Sequence, residues 1–293
     1  MTDPVWGTFA DTPWRGAPGR VPDRAAQVPT MLCEDESRLL YWLTRRWARG
    51  EGAVCDLGCF AGGSTARLAA GLAAAGLDSP VHAFDFFTAS PDHKEKFLYA
   101  NGIPRFDGED MLPVVRRMLA PWGRRLMLHP GDVTEAVWTG GAIEVLFIDV
   151  MKTPETADAI ARIFYPALIP GRSVIVHQDY QHWRQPWIAA QMQALRAAFR
   201  PVAWAREGSV VFAVDRVPRA VELDRARVAP LGDARMIELV CRALREAPRG
   251  PPRRRLARSV LALEDFPGTR RPWRYDPAGF TADRVRGVIK DAS

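Results

Sequence analysis

Long apolar runs are missing from this 293-residue chain. The longest stretch without charge or strong polarity, residues 68–77, is about ten residues, half of the roughly 20 that a membrane-spanning helix requires. No membrane partner is therefore expected. The first four residues, Met1-Thr2-Asp3-Pro4, supply neither the basic nor the apolar segment of a secretory signal. Cysteine is scarce: Cys33, Cys55, Cys59 and Cys241 form no C-x-x-C pair, a pattern that fits reduced thiols and a cytoplasmic location. The dinucleotide fingerprint G-x-G-x-x-G is also lacking at the most glycine-rich turn, which argues against an NAD-dependent oxidoreductase.

What the chain does have is apolar substance, 47% of its residues, enough to bury one large core or a core with a small appendage. Charge is unevenly placed. Residues 216–293 carry 18 Lys and Arg against 10 Asp and Glu, whereas the rest carries 22 against 24, so the net +6 resides in the C-terminal quarter. A solvated Arg-rich surface is a commoner origin of such a tail than an anionic partner. Arg253-Arg254-Arg255 lacks interleaved aromatics and any RNA motif, and an RNA-directed enzyme or RNA-binding module stands as an alternative reading.

Residues 53–65 organise the sequence. They read Ala-Val-Cys-Asp-Leu-Gly-Cys-Phe-Ala-Gly-Gly-Ser-Thr, and an Ala/Leu-rich pattern follows over 66–77. The run predicts a buried strand, a glycine turn and the start of a helix. Glycine permits positive φ and lets a ligand approach the main chain, and a first helical turn offers unpaired N–H groups to an anionic group.

This wording, with Asp56 two residues ahead of Gly58, resembles motif I of the class I S-adenosylmethionine (SAM)-dependent methyltransferases. Asp-Leu-Gly-x-x-x-Gly-Gly-Ser looks most like the small-molecule O-methyltransferases of the macrocin and catechol type. The resemblance covers roughly residues 33–216. It implies an α/β, Rossmann-like seven-stranded sheet of order 3-2-1-4-5-7-6 with helices on both faces. It also implies SAM held by Asp56, Gly58, Cys59, Gly62, Gly63 and Ser64, and a small-molecule acceptor. The expected organisation is an arm over 1–32, a methyltransferase domain over 33–216, and a basic, mostly helical C-terminal extension over 217–293 with no family match. A homo-oligomer is compatible with all of this.

Residues 1–30 hold five prolines, Trp6 and Trp14 with no apolar period. They predict an extended arm, disordered or lying across the body, and the tryptophans favour docking. Leu39, Leu40, Trp42, Leu43 and Trp47 predict a helix over 34–48. Val81–Asp85 reads as the second strand. Asp85 lies where a carboxylate accepts from both hydroxyls of a ribose, and Phe86 is assigned to the cofactor with it. Residues 86–123 predict a loop of about twenty residues, a substrate wall or lid, then a helix over 111–119. A third strand over 125–129 leads to Asp132 and Val133, both assigned to the cofactor. The family's aspartate there accepts from the adenine amino group, and N-capping of the next segment competes. Strands over 145–149 and 173–176 and a hairpin of 202–205 with 209–214 complete the sheet.

Methyl transfer needs an acceptor held in line with the sulfonium and a route for its proton. Asp149, also assigned to the cofactor, and Lys152 look like the Asp-x-x-Lys of the catechol type, whose aspartate binds a divalent cation and whose lysine deprotonates the acceptor. A free lysine is a poor base at pH 7, but a nearby cation and burial lower its pKa. Relatives carry Asp-Asn or Asp-Asp directly after the fifth strand, whereas this chain has His177-Gln178-Asp179. Three arrangements follow. Mg2+ or another hard divalent cation sits on Asp149, Gln178 and Asp179; a softer metal uses His177; or no metal binds and His177 is itself the base. Lys152 and His177 are thus the candidate catalytic residues. His182 and Trp183 line the acceptor pocket or begin the next helix. The leading expectation is O-methylation of a small hydroxylated metabolite, and the altered triplet keeps a non-methylating SAM-fold protein as a further alternative.

Overall fold

Apolar segments that alternate with amphipathic ones assemble into a single mixed sheet flanked by helices. In the computed structural model, which describes residues 6–292, the strands are β1 (Ala53–Leu57), β2 (Val81–Asp85), β3 (Leu126–Pro130), β4 (Ile143–Ile148), β5 (Val174–His177), β6 (Phe199–Trp204) and β7 (Val210–Val214). Their order is β3-β2-β1-β4-β5-β7-β6. The first five are parallel, and β7 runs antiparallel to both β5 and β6. This is the strand order that the sequence resemblance implies.

The helices are α1 (Asp23–Ala26), α2 (Glu34–Trp42), α3 (Gly63–Ala75), α4 (Pro91–His93), α5 (Leu112–Leu119), α6 (Pro154–Phe164), α7 (Pro186–Ala194), α8 (Ala220–Arg225), α9 (Asp233–Glu246), α10 (Pro251–Asp265) and α11 (Ala282–Ala292). No helix among the described residues is long and apolar enough to cross a membrane. Alternation along the strands divides the core into two layers. Val54, Val145, Phe147, Val174 and Val176 face α2, α3 and the N-terminal arm. Cys55, Leu57, Leu146, Ile148 and Ile175 face α6, α7, α9 and α10.

The arm lies across the body, coiled rather than extended. Its prolines set φ at the starts of short 3-10 turns, Pro13–Arg15 and Ala17–Gly19. Trp14 is fully buried and Trp6 and Phe9 nearly so. Trp6 stacks on Trp47 with ring centroids 5.0 Å apart, and Phe9 meets Trp42 edge to face at 5.4 Å. A polar latch fixes the turn: Arg15 grips Asp35 through Nε at 2.7 Å and Nη2 at 2.9 Å, and Trp14 Nε1 donates to the same carboxylate.

Two regions differ from the expected pattern. α2 continues as a π-helical turn, Leu43–Trp47, so the helix over 34–48 changes hydrogen-bond period midway. The predicted loop after β2 contains α4, a π-helical turn, Lys94–Leu98, and a 3-10 turn, Tyr99–Asn101. Lys94 is buried there and donates to the carbonyls of Phe106 and Gly108 at 2.9 Å each, which folds the loop back on that helical stretch. The C-terminal helices also join the main core. α9 packs on α7 and α10 on α9, so Met236, Leu239, Val240, Leu256 and Val260 share one cluster with Ile175 and Trp187.

Candidate active site

Register brings the strand ends into line. Leu57 stands beside Phe84 and Ile148, and Ile148 beside His177, so Gly58, Asp85, Asp149 and Gln178 all leave the sheet along one rim. That is where ligands bind in open α/β sheets.

The glycine loop requires its glycines. Gly58 has φ +90°, and a Cβ there would stand 2.8 Å from the Asp149 carbonyl oxygen. Gly62 has φ +85°, and at Gly63 a Cβ would meet the Pro29 carbonyl oxygen at 2.3 Å. The segment 29–32 therefore lies directly over the loop. Together with Gly58, Cys59, Phe60, Gly63, Ser64 and Asp149 it encloses a cleft of only about 20 Å³.

Asp56 is fully buried and does not line this cleft, where the sequence reading expects it to contact the cofactor directly. It accepts from Ser64 Oγ at 2.8 Å and Thr65 Oγ1 at 2.6 Å, tying the start of α3 to β1, while its Oδ1 lacks a partner. Burial pushes its pKa up to about 6, against the pull of the two hydroxyls. Asp85 pins two strained residues. Its oxygens accept from the amides of Phe60 and Phe87 at 2.8 Å each, and both of these phenylalanines have positive φ, +46° and +53°, a conformation that costs a bulky residue of order 1 kcal/mol or more. Phe86 beside Asp85 is 58% exposed. Burial also raises Asp85 above the ordinary carboxylate range.

Asp132 follows the capping alternative: its Oδ1 accepts from the Thr134 amide and hydroxyl at 2.8 Å each. Val133 is buried in the core.

A second cluster adjoins the cleft. Lys152 Nζ lies 2.9 Å from Asp149 Oδ1 and 2.5 Å from Asp179 Oδ2. Burial alone would lower the Lys152 pKa, but the two carboxylates outweigh it and hold the amine well above its ordinary value, as an ammonium. Burial raises Asp149 to about 7, with Lys152 pulling down and Asp179 and Glu36 pushing up. These groups do not fit a divalent cation, because the Lys152 ammonium stands between the two carboxylates that would ligate it. Among the described residues no three His, Cys, Asp or Glu side chains are grouped to hold a metal ion.

His177 lies apart from this cluster. β5 runs one residue further than the sequence pattern suggests, so His177 pairs within the sheet against Ile148 and Val210. Its side chain is 1% exposed, with Nε2 3.2 Å from the Tyr165 hydroxyl and its ring edge-on to Phe212. Burial lowers its pKa to about 3. It is a core histidine, placed neither to ligate a metal nor to accept a proton at the rim. Gln178 donates its backbone N–H to the Ile148 carbonyl at 3.0 Å, and its side chain makes no hydrogen bond with Asp149 or Asp179.

Beyond Asp179 the chain turns, with the His182 N–H donating to the Asp179 carbonyl at 2.9 Å. The His182 ring stacks on Trp183, and Trp183 packs edge to face against Tyr275 and Phe280, at 6.0 and 5.1 Å. The C-terminal region thus builds a wall beside the rim. Sequence reasoning missed it because nothing local links residues so far apart. Two arginines of the Arg-rich stretch are engaged within the fold. Arg253 donates to the carbonyls of Ala247 and Arg245, and Arg255 pairs with Glu207.

No protein-family model matches the sequence, and no curated protein matches it significantly. Among solved structures, the chain is similar to the O-methyltransferase NovP, at 17% identity and a TM-score of 0.49 over 64% of this chain and 82% of that one. It is also similar to cofactor-bound Rv0187 from MTB, at 18% identity and a TM-score of 0.44 over 73% and 91%. SAH-bound PaMTH1 from Podospora anserina aligns at 13% identity and a TM-score of 0.37 over 84% and 81%.

Proposed function

We propose that the protein is a SAM-dependent methyltransferase that O-methylates a small hydroxylated acceptor. One observation carries this reading: Asp149 borders the glycine-loop cleft and is also bound to Lys152 of the adjoining charged cluster. The place that would hold a methyl donor and the groups that would handle a proton therefore meet at one residue.

The main chain of Gly58, Cys59, Phe60, Gly63 and Ser64 would hold the methionine end of SAM, and Asp85 the ribose, with Phe86 against the adenine. When bound, SAM supplies an electrophilic methyl. Asp149, whose raised pKa suits a base working near neutrality, would take the proton of the acceptor hydroxyl. Lys152 stays protonated throughout. It holds Asp149 and Asp179 in place and stabilises negative charge developing on the acceptor oxygen. Proton removal is thereby assigned to Asp149 in place of Lys152 or His177.

Calorimetric titration tests the cofactor. SAM and S-adenosylhomocysteine (SAH) are expected to bind and NADH is not. NADH binding without SAM binding would overturn the reading in favour of an oxidoreductase.

A further inference from the structure

The rim chemistry leaves Arg67 unused. It lies on α3 just beyond the glycine loop, is 4% exposed, and has no carboxylate partner among the described residues. Its Nη1 donates to the carbonyls of Ala25, Val28 and Gly63 at 3.1, 3.2 and 2.7 Å. Its Nε is buried without an acceptor, and Nη2 makes no hydrogen bond among the described residues. Those two nitrogens form one edge of the guanidinium, an edge that receives carboxylate or phosphate through two parallel N–H bonds. A buried charge left without a counter-charge is costly. Burial pulls the Arg67 pKa down to about 10, which still leaves it a cation at neutral pH.

Beside Arg67 opens a cavity of about 400 Å³, lined in part by Arg20, Arg38, Thr30, Ser37 and Glu34. Glu34 is the one carboxylate there, and it is spent on Arg38, 2.8 Å away. Arg20 has no ion pair among the described residues. Two guanidinium charges and two hydroxyls therefore converge on one concave site without compensation, an arrangement that concentrates positive potential.

We propose that this cavity between the arm, α2 and α3 binds an oxyanion, a carboxylate or phosphate group, seated on Arg67 and Arg20 with the hydroxyls of Thr30 and Ser37 as further donors. The anion is either carried by the methyl acceptor or a free inorganic ion. Thr30 and Leu32 line both this cavity and the glycine-loop cleft, so an anion seated here also fixes the segment that covers the loop.

The test is a calorimetric titration of the full-length protein with inorganic phosphate at low ionic strength. One-site binding is expected, weakened at least tenfold by Arg20→Ala. Arg20 is exposed and without an ion pair, so that variant keeps its fold. Arg67→Met, checked for folding by circular dichroism, is expected to abolish binding. Failure of the wild type to bind phosphate, or equal binding by Arg20→Ala, would overturn the proposal. Displacement of phosphate by saturating SAH would do so too, since the cavity would then belong to the cofactor. Competition of phosphate with a hydroxybenzoate, but not with the matching phenol, in a methylation assay marks an acceptor-borne anion. Phosphate binding without such competition marks a free one, and both results support the site. If phosphate binds and SAM does not, the cavity stands and the methyltransferase reading falls.

Discussion

Lys152, just beyond β4, reaches across to Asp179, just beyond β5, and donates to it at 2.5 Å. The same ammonium holds Asp149, so the chain supplies from its own side chain the positive charge that a metal would bring to such a carboxylate pair. One lysine set against two acids leaves a negative charge over, and burial, with the Asp179 charge adding to it, raises the Asp149 pKa to about 7 against the pull of Lys152.

Replacing Lys152 by Met leaves two carboxylates facing each other. Turnover is expected to fall by roughly 10²–10³-fold, the range for loss of one group that stabilises developing negative charge, with SAH affinity little changed. Calorimetry with Mn2+ is expected to show a new cation site in the variant and none in the wild type. In the wild type kcat is expected to rise with pH through about 7, where Asp149 loses its proton, and then to level off. A flat profile would remove Asp149 as the base.

The buried Asp56 carboxyl makes a signed prediction for stability. Its folded pKa of about 6 lies above the ordinary value of 3.8, so the native state binds the proton more tightly than the unfolded chain. The stabilisation from that proton is complete below about pH 4 and is lost as pH rises through about 6. Above that, the ionised group costs roughly 3 kcal/mol. Asp56→Asn keeps an oxygen to accept from Ser64 and Thr65 but cannot ionise. Its stability relative to wild type is expected to climb between pH 4 and 6.5 in urea denaturation, and a difference constant with pH would refute the argument.

Gly63→Ala places a methyl against Pro29 and Thr30. Overpacking of this kind costs about 1–3 kcal/mol. The strain is expected to lift the segment 29–32 off the loop, seen as faster hydrogen exchange there while β1 stays protected. SAH titration of the wild type is expected to change exchange in the same segment, because about 20 Å³ cannot admit a methionine-sized group without movement of that cover.

Much of the rim could be read from the chain because parallel strands buried on both faces are nearly all apolar, so a polar residue such as Asp85 or Asp149 marks where each one stops. Asp56 breaks that pattern from inside β1, one residue short of the strand's end, so the sequence reading puts at the cleft a carboxyl that is buried beneath it. The fifth strand misled by a single residue. With a side-chain period of two, extending β5 to His177 turns its imidazole into the layer containing Tyr165 and leaves Asp179 to meet Lys152. The strained φ of Phe60 and Phe87 had no local signal, since aromatic residues rarely adopt it and only the Asp85 carboxylate explains it. Arg67 reads in sequence as one more charge on an Ala-rich helix. Its burial depends on the arm, whose course across α3 is set by the distant anchors Trp42, Trp47 and Asp35.

The packing of Trp183 against Tyr275 and Phe280 bears on how the molecule comes into being. A ribosome releases the glycine loop long before those two aromatics, so a nascent chain exposes the apolar faces of β5 and α7 until α9 and α10 emerge to cover them. The interval is one in which such surfaces aggregate or recruit chaperones. Clipping the chain after α8 would therefore leave a sticky, unfinished core, even though every residue of the glycine loop was already in hand.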